Sequence, residues 1–195
     1  MFLRALDLVR EGRLGRVLSA EGLFEAAISR GPGQLRWDPA QGGGGMMDLG
    51  CYVVHALRTL IGEEPTLLGA AAVLEGGVDA EMDATLGFLG GAEAKVRSSM
   101  LAPRNDWIVL RGELASLRLE RFVSPQMGGV LTLTSPRGDH QEPAHGPGSY
   151  DAQLAHVVGV MRGECAPLTG GADAVANMTI IDAMRRAVSM DIGQS

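Results

Sequence analysis

The first eleven residues place Phe2, Leu3, Ala5, Leu6, Leu8 and Val9 at helical spacing, and Gly12 follows as a stop. This predicts a helix over Phe2 to Glu11. The period then drops to two. From Gly15 to Ser29, Val17, Ser19, Glu21, Leu23 and Glu25 alternate with Leu18, Ala20, Gly22 and Phe24, which predicts a strand. Arg30 to Gly45 is rich in glycine and proline and reads as a loop holding Arg36, Trp37 and Asp38. Helical spacing returns over Met46 to Ile61, closed by Gly62 and Pro65. Six strand-like runs follow: Leu67 to Leu74, Ala80 to Leu89, Ala92 to Leu101, Trp107 to Gly112, Ser116 to Glu120 and Val130 to Ser135. The Gly-Gly pairs at 76–77 and 90–91 read as hairpin connections. Pro136 to Gly148 reads as a polar loop. Tyr150 to Arg162 and Ala172 to Met190 carry apolar residues at i, i+3 and i+4 and predict two closing helices.

Strands joined by short turns pair antiparallel. Helices gathered at the two ends of a run of strands must cover one of its faces. The expected class is therefore α+β, a large, mostly antiparallel open sheet with helices covering one face. The uncovered face is expected to carry Met82, Ala84, Leu86 and Phe88, or Val109 and Leu117. A surface that apolar does not stay wet, so a homodimer through the sheet is expected.

Composition narrows the function classes. Hydrophobic residues make up 46% and charged residues 21%, a globular balance that argues against disorder. The net charge of −6 argues against a nucleic-acid partner, which needs a basic face. No 18-residue apolar run is present, so no membrane span is expected. Cys51 and Cys165 are the only cysteines, too few for a secreted disulfide scaffold, and both read as reduced thiols of a cytoplasmic protein. Lys95 is the only lysine and lies in an alternating strand, where an edge or surface position is expected.

The chemistry concentrates in one segment, Gln41-Gly-Gly-Gly-Gly-Met-Met-Asp48-Leu-Gly50-Cys51-Tyr52-Val-Val-His55. A glycine run lets backbone approach a ligand closely. It leads into a helix start, whose free N–H groups favour polar ligand oxygens. Asp48, Tyr52 and His55 fall at i, i+4 and i+7 and share one helix face. Three protonatable groups on an otherwise apolar helix must line a cavity or be fully hydrogen-bonded. From spacing alone, a ligand site and a polar network joining helices both remain open. A phosphate loop is excluded, because no Gly-Lys-Ser/Thr follows the glycines. The His140 to His145 stretch reads as a solvated loop without helical zinc spacing, so no metal site is expected. Cys51 reads as a buried thiol, His156 as a packed histidine, and Trp107 as a core or interface residue.

Gly-Gly-Gly-x-Met-x-Asp-x-Gly-x-Tyr, from Gly42 to Tyr52, resembles the signature that opens the active-site helix of the Gfo/Idh/MocA family. The tyrosine places it near the branch of dihydrodiol dehydrogenases, glucose-fructose oxidoreductase and some xylose dehydrogenases. Arg10 to Val17, Leu35 to Pro39, Tyr150 to Leu154 and Gly171 to Met178 resemble further family segments. The resemblance implies the substrate-binding half of an NAD- or NADP-dependent oxidoreductase acting on a CH–OH group of a sugar, polyol or diol. It implies Tyr52 as the acid–base residue, with Asp48 and His55 beside it as the other catalytic residues. Arg36, Trp37, Gly43 and Gly44 become the expected substrate contacts. His55 departs from members with an acidic residue there. The family also pairs its open sheet faces between subunits.

The family's first half is a Rossmann domain with Gly-x-Gly-x-x-Gly, and its Glu-Lys-Pro motif supplies a lysine to the acid–base residue. Neither motif occurs in this sequence; Gly31-Pro-Gly33 continues as Gln-Leu-Arg. Residues 1–195 are expected to form one substrate-binding and oligomerisation domain, and the chain is a truncated product, a fragment or a free-standing relic. No nicotinamide cofactor is expected to bind it alone, and the isolated chain is expected to be inactive. The alternative is a stand-alone small-molecule-binding or dimerisation module without redox chemistry.

Overall fold

A computed structural model describes residues 1–189. The elements run in the order α1 (Phe2–Arg10), β1 (Val17–Glu25), α2 (Cys51–Ile61), β2 (Thr66–Glu75), β3 (Val78–Gly87), β4 (Glu93–Ser99), β5 (Asn105–Gly112), β6 (Ser116–Glu120), β7 (Val130–Ser135), β8 (Gly138–Pro143), α3 (Ser149–Met161) and α4 (Gly171–Ala187). The last expected helix was to reach Met190, which lies outside the described residues. The class is α+β with a mostly antiparallel open sheet, as the hydrophobic pattern implies.

The eight strands lie in the order β2-β3-β4-β1-β5-β6-β7-β8. Hairpins join β2 to β3 and β3 to β4, and Gly76 and Gly77 both take positive φ in the first turn. The hairpin rule fails at β4 and β5, because β1 inserts between them. It pairs parallel with β4 and antiparallel with β5. Gly22 shows why β1 sits there: a Cβ on it would lie 2.6 Å from Val53 Cγ1, so its bare backbone is the floor on which α2 rests. Val53 and Leu57 of α2 are fully buried against this floor. Burial of such side chains contributes about 1.5–3 kcal/mol each.

The expected assignment of faces is reversed. Met82, Leu86 and Leu117 are fully buried in the core beneath the helices, and Ala84 and Phe88 join them. In β3 the alternate residues Glu81, Asp83 and Thr85 take the open face. The helices cover the apolar set because that set is the one they can desolvate at no polar cost. The open face is consequently charged. Arg97 binds Glu25 at 3.0 Å, Asp83 at 2.6 Å and Glu81 at 2.5 Å, and the Arg118 guanidinium lies 4.6 Å from the Trp107 ring centre. Val109 alone of the named residues lies on this side, buried between charged neighbours on β1 and β6.

Two further expectations are corrected. Pro136 to Gly148 contains the edge strand β8, paired with β7 from Val130↔Pro143 to Ser135↔Gly138. Its residues are nearly all exposed, so no apolar alternation could announce it. Also, α3 does not cover the sheet. Gly159 is its only buried residue, while Tyr150, Leu154 and Met161 are 81%, 64% and 81% exposed. The sheet is covered by α1, α2 and α4, with α4 lying across β2 and α2.

Candidate active site

The loop before α2 is shaped by its own short contacts. Leu35–Trp37 and Pro39–Gln41 are single 3-10 turns, and the Asp38 side chain accepts from the Ala40 N–H at 2.9 Å. This curls the chain so that Gly43 and Gly44 donate to the carbonyls of Asp38 and Arg36, each at 3.0 Å. A Cβ on Gly43 would lie 2.6 Å from the Arg36 carbonyl oxygen, and one on Gly44 2.1 Å from Asp79 Oδ1. The glycines thus admit the protein's own backbone and a buried carboxylate, besides bordering a cavity of about 230 Å³. Arg36, Gly42, Gly43, Gly44, Met47 and Asp48 line that cavity.

Residues Met46–Gly50 form one π-helical turn before α2 begins. The extra residue per turn rotates Asp48 relative to the positions that follow. Asp48 faces the loop, where its Oδ2 accepts from Arg36 Nε at 2.6 Å. Met46, the first residue of the turn, donates its N–H to Asp79 Oδ2 at 2.6 Å. Asp79 is fully buried, and its other oxygen has no hydrogen-bond partner among the described residues. Burial pushes its carboxyl up to about 6, against the pull of the Met46 N–H and the Arg185 charge.

Tyr52 is 48% exposed, with its ring edge-on to Phe24 at 5.8 Å between centres. Partial burial, then the neighbouring Cys51, Tyr150 and Asp48, push its phenol above the usual value, and only Arg36 pulls it down. At neutral pH the phenol is protonated. Cys51 beside it is half-buried, and burial together with the Asp48 charge raises its thiol to about 11. It is a poor nucleophile, as its place in the sequence implies. His55 lies 3.3 Å through Nδ1 from Asp173 Oδ2 on α4.

The structure therefore brings Asp48, Arg36, Gly43 and Gly44 to one cavity, with Tyr52 within electrostatic reach. His55 belongs to a second cluster at the α2–α4 contact. Arg58 is its centre, bound through both ends by Glu64 at 2.7 Å and by Asp173 at 3.1 Å. Asn177 accepts from Arg58 at 3.3 Å and donates to the Cys51 carbonyl at 3.2 Å. Trp37 stands apart from the cavity. Its indole N–H donates to the Ile28 carbonyl at 3.2 Å and Arg30 stacks on its ring, so it anchors the loop to the end of β1. Sequence reasoning passed over Asp79, Asp173 and Asn177. Asp173 and Asn177 lie in the Gly171 to Met178 segment, which was noted only for its resemblance. Asp79 carried no signal beyond one acid ahead of an apolar strand.

The model of the GFO/IDH/MocA C-terminal domain matches residues 2–118, more than half of the chain. The chain belongs to the Gfo/Idh/MocA family. It is 30% identical over 187 residues to a D-xylose 1-dehydrogenase (NADP(+)) of Haloferax volcanii, covering 93% of this chain and 56% of the relative. Among solved structures, the aldose-aldose oxidoreductase of Caulobacter crescentus complexed with glycerol superposes with a TM-score of 0.86 at 29% identity, covering 95% of this chain and 57% of that one. A 3-ketoreductase of Actinomadura kijaniata, solved with TDP-benzene and NADP, has a TM-score of 0.80 at 23% identity over 95% of this chain and 58% of its own, which shows the shared fold. The chain spans just over half the length of these relatives.

The described residues do not by themselves fit a nicotinamide dinucleotide. Neither strand of the parallel pair, β1 or β4, turns directly into a helix: the long loop from Ala26 to Gly45 follows β1, and β5 follows β4. Lys95, the only lysine, projects from the open face of the sheet, opposite to α2. No helix among the described residues is long and apolar enough to cross a membrane.

Proposed function

We propose that this chain is the substrate-binding half of an NAD(P)-dependent oxidoreductase acting on a CH–OH group of a sugar, polyol or diol. The observation that carries it is the half-exposed Tyr52 phenol, set between the Arg36–Asp48 pair at the glycine loop and the His55–Asp173 pair at α4. A polyhydroxylated ligand needs several fixed donors and acceptors at close spacing, and this strip offers an acid, a base and a phenol. Arg36 and Asp48 hold the hydroxyls in the cavity that Gly43 and Gly44 border, and Tyr52 exchanges the proton of the reacting one. The nicotinamide, NAD or NADP, is held by a nucleotide-binding half outside the described residues, and residues 1–195 act as one domain. The relatives' D-xylose and glycerol set the first ligands to try. Titrate the labelled chain with D-xylose up to about 10 mM, above the usual KM range. Amide shifts confined to Gly42 to Asp48 and to Tyr52 are expected. Shifts confined to the open sheet face, or none, refute the site.

A homodimer through the open face and a cytoplasmic location belong to the same proposal. The face holds a groove of about 600 Å³ with Leu23, Ala71 and Trp107 in its floor and charges of both signs at its rim. A two-fold copy places those rims against each other. Cys51 and Cys165 are both free thiols, which suits a reducing compartment. Sedimentation showing only the mass of one chain at micromolar concentration refutes the dimer.

A further inference from the structure

Asp173 stands in the first turn of α4 and divides its carboxylate between two residues of α2. Oδ1 accepts from Arg58 Nη1 at 3.1 Å, and Oδ2 lies 3.3 Å from His55 Nδ1. Arg58 does not need both oxygens. Its guanidinium is already bound through two nitrogens by Glu64 and accepted by Asn177, and its side chain is only 4% exposed. The second oxygen of Asp173 is thereby left for the imidazole. At 3.3 Å the two atoms are paired in distance but not aligned as a hydrogen bond; an imidazole that turns its Nδ1–H onto such a carboxylate is fixed in one tautomer and one orientation, with Nε2 left as an acceptor. A third of the His55 side chain remains open to solvent, one turn along α2 from Tyr52.

We propose that Asp173 is a positioning residue that holds His55 as the Nδ1–H tautomer, so that Nε2 accepts a hydrogen bond from a hydroxyl of the polyol bound at Tyr52. The identity of the ligand rests on the function proposed above; the tautomer does not. A purely structural Asp173, needed only to dock α4 through Arg58, leaves His55 as a free imidazole, which in water favours the Nε2–H form.

The test is nitrogen NMR of the 195-residue chain with labelled histidine, at a pH about two units above the ordinary histidine value. His55→Gln identifies its signals among those of the four histidines. Wild-type His55 is expected with Nδ1 protonated and Nε2 bare. In Asp173→Asn, Glu64 and Asn177 still hold Arg58, while the new amide offers a donor as well as an acceptor, so His55 shifts toward the Nε2–H form. A wild-type His55 in the Nε2–H form overturns the proposal, as does a Asp173→Asn spectrum with the tautomer unchanged. If Asp173→Asn does not fold, the wild-type spectrum decides. D-xylose is then added. A shift of the bare Nε2 signal, and about tenfold weaker binding in Asp173→Asn, are expected. A fixed tautomer with an unmoved Nε2 while the Gly42 to Asp48 amides respond overturns the hydroxyl contact. Silence of both Nε2 and those amides overturns the sugar-site reading as well as the contact, and leaves the tautomer result standing.

Discussion

Replacing Asp79 by asparagine tests how the π turn ahead of α2 is held. The carboxyl is fully buried, accepts the Met46 N–H, and is raised from 3.8 to about 6 by burial. Its folded value lies above its unfolded one, so the group favours folding while it is protonated. That contribution is complete below the unfolded value and is lost as pH rises through about 6. The shift corresponds to about 3 kcal/mol between the two limits. Asp79→Asn keeps an acceptor for Met46 and has no charge to gain. Its stability relative to wild type should therefore climb by up to about 3 kcal/mol between pH 4 and pH 7. Urea unfolding, followed by fluorescence of Trp37 and Trp107 at several pH values, measures this difference directly. Every other titrating group cancels in it. A difference that stays constant within about 0.5 kcal/mol would falsify the account of Asp79 as a desolvated carboxyl.

Gly44→Ala should cost about 3 kcal/mol or more, because φ is +124° and the new Cβ meets the Asp79 carboxyl, whereas Gly42→Ala, with φ +71° and open space, should cost about 1–2 kcal/mol; equal losses in thermal unfolding contradict the packed loop. Of the two thiols, exposed Cys165 should react with a disulfide reagent at neutral pH well before Cys51, whose thiol is raised to about 11; comparable rates refute the burial argument. Leu154→Ser and Met161→Ser on α3 should change the stability of the chain by less than about 0.5 kcal/mol, since both side chains are largely exposed. A loss above about 1.5 kcal/mol shows that this face is covered in the assembly the chain forms.

The strands with apolar alternation were legible because a half-buried strand writes its two faces into the sequence. Ser116–Glu120 and Val130–Ser135 end where the pattern ends. The pattern does not say which face the helices choose, and the reversed assignment of Met82 and Leu86 follows from that. β8 was illegible because an exposed edge strand buries nothing and is held by backbone pairing alone. The insertion of β1 between β4 and β5 is a long-range event that no local spacing encodes. Asp48, Tyr52 and His55 could be singled out as candidates because protonatable residues on an apolar helix stand out. The π turn between Asp48 and the other two was not legible, since the contacts made at its start, to Asp79 and the Arg36 carbonyl, come from outside the helix. Asp79 and Asp173, which hold Met46 and His55, come from elements distant in sequence, and only the fold brings them to α2.

The charges around Tyr52 favour one direction of the proposed reaction. Partial burial first, and its neighbours after it, stabilise the protonated phenol, and the opposing charge, Arg36, is engaged by Asp48 at 2.6 Å. A phenol in that state can donate its proton to an alkoxide formed when a carbonyl is reduced. To run the reaction as an oxidation, the same phenol must take up a proton from the alcohol, which requires its anion near neutrality. A cation within a few ångströms is what lowers such a pKa. Lys95 is on the far side of the sheet, and Arg36, the arginine that acts on the phenol, is already paired. In the proposed reaction the described residues therefore favour Tyr52 as an acid. Any use of it as a base depends on positive charge brought from outside these residues, and the exposed side of Tyr52 is the side from which it can come.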